Sequence, residues 1–456
     1  MSQEIIKFLT AGNVDDGKST LIGRLLFDTN SLFLDQIEEV KNSTSKDFDQ
    51  ELDFSLFLDG LTSERSQKIT IDVAYRYFSY LDKKFIIADS PGHEQYTRNM
   101  AVGASNSDII IILIDATKKH QAVGVQTLRH SYIASLFGIK NVIVAVNKMD
   151  LVNYDYQIFD EIRKNYLEKT NSLDFEDVVF VPINARRGDN VVKKSDAIDW
   201  YQGKTLIEYL LETKPNNHLQ QQVRLQIQNL VKHKNQRYYQ AFLSSGTFKI
   251  DDELVVFPNK DKVKIKKIIH SAKDVKKAQS NQSIAISFDK EIDLDRGAVL
   301  CNLDNQAYFA NHFIANLIWF SKDNFNLRNS QELLVNINHN YLRAKINKIN
   351  YVIDVYDLIN LGNARNYQAQ EINLNQIANI EINLASQVAF DLFRNNKYTG
   401  SFLLIDNNTN ETLGCGIIEN FLKIQDPQKT KQDEFLFELS QLLKKYFGDK
   451  NIDFSI

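Results

Sequence analysis

The sequence predicts an α/β domain with a mostly parallel sheet and helices on both faces, followed by two small β-barrel domains. Three observations predict it. Up to about residue 213, short β-branched apolar runs alternate with amphipathic stretches, as expected for strands buried on both faces between helices. The segment Lys214–His218 is then polar and carries one of only five prolines, which marks a linker. After it the apolar period changes to two, the repeat of a half-buried strand.

In chain order the apolar runs are Ile5–Ala11, Val73–Phe78, Phe85–Ala88, Asp108–Asp115, Asn141–Asn147 and Val178–Ile183. Between the last two, Ile158, Phe159, Ile162, Tyr166 and Leu167 fall at helical spacing. Past the linker, Val263 and Ile265 face one way and Lys262, Lys264 and Lys266 the other. The second barrel is expected to hold Leu333–Asn338, Ala344–Ile349, Ile380–Leu384 and Phe402–Asp406. A tail follows in which Phe435, Leu436, Leu439, Leu442, Leu443 and Tyr446 form one apolar helical stripe, stopped at Gly448. The expected divisions are 1–213, 219–305, 306–420 and 421–456.

Composition narrows the class. The 456 residues are 43% apolar and 25% charged, with 54 basic against 58 acidic side chains and a net charge of -4. That balance excludes a disordered chain and argues against non-specific nucleic-acid binding. The two cysteines, Cys301 and Cys415, have no CxxC partner or histidine cluster, so reduced thiols are expected rather than a disulfide framework or zinc site. No stretch approaches the ~18 apolar residues of a membrane helix, and the start has no charged region leading into a long apolar run. The expectation is a cytoplasmic protein that does not enter membranes.

The strongest chemical signal is Gly12-Asn13-Val14-Asp15-Asp16-Gly17-Lys18-Ser19. It fits G-x-x-x-x-G-K-S/T between a strand and a helix, so its backbone N–H groups can wrap phosphates at a helix N-terminus. Lys18 would reach the β- and γ-phosphates, Ser19 would ligate Mg²⁺, and Thr20 continues the loop. Asp89-Ser90-Pro91-Gly92 follows a strand; Asp89 would hold Mg²⁺ through water, and the Gly92 N–H would meet the γ-phosphate. Asn147-Lys148-Met149-Asp150 follows another. A carboxylate such as Asp150 pairs with the ring N–H and exocyclic amine of guanine, a donor pair adenine lacks, so the site selects GTP over ATP. Asn147 would brace the loop and Lys148 would lie over the base. After Val178–Ile183, Asn184-Ala185-Arg186 would bring a backbone N–H to the guanine oxygen. Thr70 would close onto Mg²⁺ and the γ-phosphate as a switch, and His93 would position the attacking water. The reading is an α/β P-loop GTPase domain followed by two β-barrels.

Taken in this order, these motifs resemble the translational GTPases related to elongation factor Tu. The match narrows further. Asp16 stands where translation factors usually carry His. The stretches Ile69–Phe78, Ala88–Met100, Asp293–Gly297 and Thr399–Asp406 resemble the large, GTP-hydrolysing subunit of sulfate adenylyltransferase. The resemblance implies a partner, the small adenylyltransferase subunit, in a heterodimer or higher assembly. That partner would bind ATP and sulfate and form adenosine 5′-phosphosulfate and pyrophosphate, an uphill reaction driven by GTP turnover here. It also implies GTP and Mg²⁺ as cofactors and no nucleic-acid partner.

The chain departs from that family at several points. Ser66 stands for Glu, Lys68 for Gly, Asn184 for Ser and Gln240 for Gly, and Thr117–Val125 runs several residues longer. Two carboxylates, Asp15 and Asp16, beside a triphosphate should repel it. The expectation is that Asp15 helps hold a monovalent cation while Asp16 points away. The rival readings are a translation factor that binds aminoacyl-tRNA, with Lys232–Arg237 and Lys260–Lys267 as the candidate surface, and a scaffold whose GTPase has decayed.

Overall fold

The computed structural model describes residues 5–32, 54, 74–90, 97–214, 222–233, 236–328, 332–353 and 369–421. The tail stripe at Phe435–Tyr446 and most of the Lys214–His218 linker lie outside them.

Six strands form the first sheet: β1 (Ile5–Ala11), β2 (Ala74–Tyr80), β3 (Lys83–Asp89), β4 (Ile109–Asp115), β5 (Asn141–Asn147) and β6 (Asp177–Pro182). Their order is β2-β3-β1-β4-β5-β6, parallel except for β2 at the edge. The helices are α1 (Lys18–Asp28), α2 (Thr97–Ser105), α3 (Val125–Leu136), α4 (Tyr156–Thr170) and α5 (Leu206–Glu212). Every residue of β4 is buried, because alternate side chains serve opposite faces. Ile109, Ile111 and Leu113 pack with α1 and α5, while Ile110, Ile112 and Ile114 pack with α2, α3 and α4. The continuous apolar run in the sequence has this cause. The C-terminal ends of β1, β3, β4, β5 and β6 therefore share one sheet edge, where ligands of such sheets bind.

Two closed barrels follow, as the sequence predicts. In the first, Arg224–His233, Gln236–Ser245, Glu253–Phe257, Asp261–His270, Gln282–Phe288 and Val299–Asn302 pair into a ring, closed where Glu253–Phe257 meets Asp261–His270. Val263 and Ile265 are buried there, and Lys262, Lys264 and Lys266 are exposed. Alternation thus explains that basic stretch as a solvated strand face. Gln240 is also exposed and accepts a bond from Asn229 Nδ2, so a side chain at this position fits without a clash. The second ring is built from Tyr308–Trp319, Ile377–Phe390, Asn340–Ile353, Leu333–Ile337, Ser401–Asp406 and Thr412–Phe421.

The barrels meet through an apolar cluster, in which Phe257 and Val299 pack with Phe309 and Ala389, and through buried polar groups. The Arg224 guanidinium grips Asp391 with two bonds, Nε–Oδ2 at 2.7 Å and Nη2–Oδ1 at 2.8 Å, and Thr399 Oγ1 donates to Asp391 Oδ2 at 2.6 Å. Burial works against the charge on Arg224, but the Asp391 hydrogen bonds together with the charge interactions with Cys301, Asp391 and Tyr308 outweigh it and raise its pKa. The second barrel meets the α/β layer through apolar contact. Ile318, Ile353, Ile377 and Ile417 share one core with α2, α3 and α4, and Phe393 meets Phe137 edge-on at the end of α3. Cys301 and Cys415 are both free. Among the described residues, no helix is long and apolar enough to cross a membrane, and no cluster of three or more His, Cys, Asp or Glu side chains is placed to hold a metal ion.

Candidate nucleotide site

The phosphate loop connects β1 to α1 and is locked from two sides. Gly12 has φ 153°, and a Cβ there would lie 2.8 Å from the Leu113 carbonyl of β4. Gly17 has φ 93°, and its Cβ would lie 2.4 Å from Asn147 Nδ2. Both positions need glycine, for backbone freedom and for space. Helix α1 begins at Lys18 with Gly17 as its N-cap and no side-chain cap. Its first N–H groups are therefore open to an anion, and the helix dipole favours one. Val14, Ser19 and Thr20 are half-buried, and Asp15 is exposed at φ 68°.

Lys18 is buried and curls over the loop, donating to Asn13 O at 2.7 Å and Gly12 O at 3.2 Å. Burial lowers its pKa, against the opposing pull of Asp89, Asp16 and Asp15. Asp89 ends β3 and accepts from Thr10 Oγ1 at 3.1 Å. Ser90 donates to Thr10 O at 2.7 Å. The Ser19 hydroxyl and Asp89 carboxylate are hard oxygen donors of the kind Mg²⁺ takes, and the open helix N-terminus suits phosphate. The residues present fit a magnesium nucleotide. Thr70, Pro91, Gly92, His93, Ser66 and Lys68 lie outside the described residues.

Asp16 does not point away from the loop as a loose surface group. Its side chain is 1% exposed and turns into the loop, where Oδ2 accepts the Asn13 N–H at 2.7 Å and Oδ1 meets Lys118 Nζ at 2.6 Å. A buried carboxylate takes such partners because an unpaired one is costly.

The base side is built from the ends of β5 and β6. Asn147 Nδ2 donates to Asp16 O at 2.9 Å, and Asn147 Oδ1 accepts the Ala185 N–H at 2.9 Å. One side chain thus ties the phosphate loop to the loop after β6. The Ala185 N–H goes to Asn147 Oδ1, since both groups are buried and must find a partner. Lys148 has φ 62° and sends Nζ to Asp115 Oδ2 at 2.7 Å. Met149 is buried, its N–H on Ile183 O at 3.3 Å, and Asp150 is half-buried beside it. Asn184 Oδ1 accepts from the N–H of Arg186 at 3.0 Å and of Arg187 at 3.1 Å.

All five parallel strand ends thus supply candidate residues at one sheet edge, with a phosphate loop and a base loop joined by Asn147. Two comparisons with known proteins identify the lineage. Residues 3–225 match the elongation factor Tu GTP binding domain family, and residues 312–419 match the GTP-eEF1A C-terminal domain-like family. Sulfate adenylyltransferase subunit 1 of Francisella tularensis subsp. novicida is 42% identical over 98% of this chain and 93% of its own. The chain belongs to the sulfate adenylyltransferase subunit 1 family. Its relative of the same name in Cellvibrio japonicus is 40% identical, again over 98% of this chain and 93% of that one. Among solved structures, a bacterial selenocysteine-specific elongation factor, EF-Sec, aligns at a TM-score of 0.46 and 20% identity, over 97% of this chain and 63% of that chain.

Several site residues went unread in the sequence: Asp115, Lys118, Tyr154 and Asp189. Asp115 accepts from Lys148, and Asp189 accepts the Tyr154 hydroxyl at 2.8 Å and Ser195 Oγ at 2.7 Å. One signal was available. A carboxylate closing an otherwise apolar strand, as Asp115 closes β4, rarely sits there without a partner.

Proposed function

We propose that this chain is the GTP-hydrolysing subunit of an ATP sulfurylase in the cytoplasm. Its GTP turnover drives a separate small subunit to make adenosine 5′-phosphosulfate and pyrophosphate from ATP and sulfate, the first step of sulfate assimilation. The observation that carries the reading is the near full-length likeness to subunit 1 proteins, on a chain whose phosphate and base loops meet through Asn147.

In this reading water attacks the γ-phosphate in line. The loop Gly12–Thr20, its N–H groups and Lys18 stabilise the charge that develops. Ser19 and Thr70, with Asp89 through water, would hold Mg²⁺, which would supply positive charge against the phosphates. His93, which follows Gly92 in the sequence, positions the water. Asp150 selects guanine, with Asn147, Lys148 and Met149 on one side and Asn184, Ala185 and Arg186 on the other. Asp15, exposed at the loop's tip, helps hold a monovalent cation. The working divisions are 1–213 for the GTPase domain, 219–305 and 306–420 for the barrels and 421–456 for the tail. Coupling requires the GTP and GDP states to favour different arrangements of the partner.

The test is GTP hydrolysis by the full chain, assayed with and without ATP, sulfate and a co-purified small subunit. Turnover that rises with the small subunit and its substrates supports the reading. Capture of tRNA or ribosomes instead would favour a translation factor, and a bound partner without GTP turnover would favour a decayed scaffold.

A further inference from the structure

The lengthened segment after β4 has no task in the reading above. Its lysine, Lys118, reaches the phosphate loop across 102 residues of sequence and places Nζ 2.6 Å from Asp16 Oδ1. Asp16 is otherwise spent on the loop itself, Oδ2 on the Asn13 N–H and its carbonyl on Asn147 Nδ2. No oxygen of that carboxylate is left to face a ligand.

Lys118 is held where it is. Asp115, just before it, accepts the Thr117 N–H at 2.9 Å and Thr117 Oγ1 at 2.7 Å, and binds Lys148 with its other oxygen. The chain kinks at Lys119, φ 47° and ψ -119°, immediately beyond. One short segment therefore fastens both the phosphate loop and the lysine of the base loop. The charge argument follows. A carboxylate buried inside a loop that accepts several phosphate charges is unfavourable twice, for its own desolvation and for its repulsion of the ligand. A cation on Asp16 removes both costs at once, and Lys118 does so from a side chain that is 36% exposed.

We propose that Lys118 is a counter-ion built into the phosphate loop, a positioning residue that holds the Asp16 carboxylate so that the loop can accept a guanosine di- or triphosphate. This rests on the loop being the GTP site. It also accounts for how the acidic Asp15-Asp16 pair is tolerated: Asp16 is paired internally, and Asp15 alone faces solvent.

The test is titration of the full-length chain with GDP, with a non-hydrolysable GTP analogue and with guanosine, in wild type, Lys118→Ala and Lys118→Ala/Asp16→Asn. Asn keeps an oxygen for the Asn13 N–H and carries no charge. Lys118→Ala should weaken GDP and the GTP analogue by about tenfold or more, leave guanosine unchanged, and lose most of that defect in the double variant. Thermal unfolding of each ligand-free variant shows that the chain still folds. Unchanged nucleotide affinity in Lys118→Ala would overturn the assignment, as would an equal loss for guanosine or a defect that persists in the double variant. If the wild type bound no guanine nucleotide, the GTP reading itself would fall, an outcome told apart because all three proteins would read alike.

Discussion

The second barrel has two junctions with apolar contact in both, and the one toward the first barrel adds a buried ion pair. Toward the first barrel it offers the Arg224–Asp391 pair, 1% and 4% exposed, with Asn396 reaching Ser245 Oγ at 3.0 Å. Toward the α/β layer it offers Ile318, Ile353, Ile377, Ile417 and Phe393. A bidentate buried pair has one good geometry, so it fixes orientation more than it adds stability. An apolar junction has no such requirement and can slide or separate with a smaller penalty per contact. The buried pair thus fixes the orientation of one barrel against the other.

Breaking the polar junction gives the largest expected effect. Arg224→Ala leaves Asp391 charged and buried, and should cost about 3–5 kcal/mol in urea unfolding. Replacing both partners, as Arg224→Met with Asp391→Leu, should recover most of that loss. A double variant as unstable as the single one would show that Thr399, which donates to Asp391, and Asn305, which accepts from both Arg224 Nη atoms, also depend on the charges.

The apolar side has a different weakness, which pH exposes. His130 lies in α3 and is buried, with no partner for Nδ1 among the described residues, and its pKa is pushed down to about 3 by burial first, then by Lys18 and Arg129. The unfolded chain holds this proton below about 6.5 and the folded chain does not. Stability should therefore be complete above that pH and fall as pH drops toward 3. Urea midpoints across pH 7 to 4 would measure it, and His130→Gln should flatten the slope. A slope equal to the wild type would assign the pH dependence to other groups.

Phe393→Ala sharpens the comparison with a smaller effect. The ring is half-buried against Phe137, so about 1–2 kcal/mol should be lost. Under the proposed function, the same variant should alter any rise in GTP turnover brought by a small subunit, whereas the double replacement at Arg224 and Asp391 should leave that rise intact. The smallest effect is expected from Asp115→Asn, which weakens the hold on Lys148. Burial pushes the Asp115 pKa up, but Lys148 and Thr117 outweigh it and lower it. The substitution should raise the Kd for GDP a few-fold, measurable by titration, with about 0.5–1.5 kcal/mol of stability lost.

Much of this was legible before the fold was known. The strand runs and helical spacing marked the α/β layer because period and burial are local properties of the chain. The phosphate loop was legible because its glycines are demanded by backbone geometry at Gly12 and Gly17. The boundaries were less exact: Phe85–Ala88 became Lys83–Asp89, since end residues of a strand pair without being apolar.

Other features could not be read from order alone. Asp16 was expected to point away, and no single partner could be read for the Ala185 N–H. Both turned inward because a buried polar group takes whichever partner the fold brings near. That partner was Lys118 for Asp16, 102 residues distant, and Asn147 for Ala185, 38 residues distant. The sequence by itself determined which elements form and which chemistry each loop can carry, because propensity, period and backbone freedom act over a few residues. Only the tertiary structure decided which charge sits on which, because pairing between strand ends depends on sheet order, and sheet order brings together residues that the chain keeps far apart.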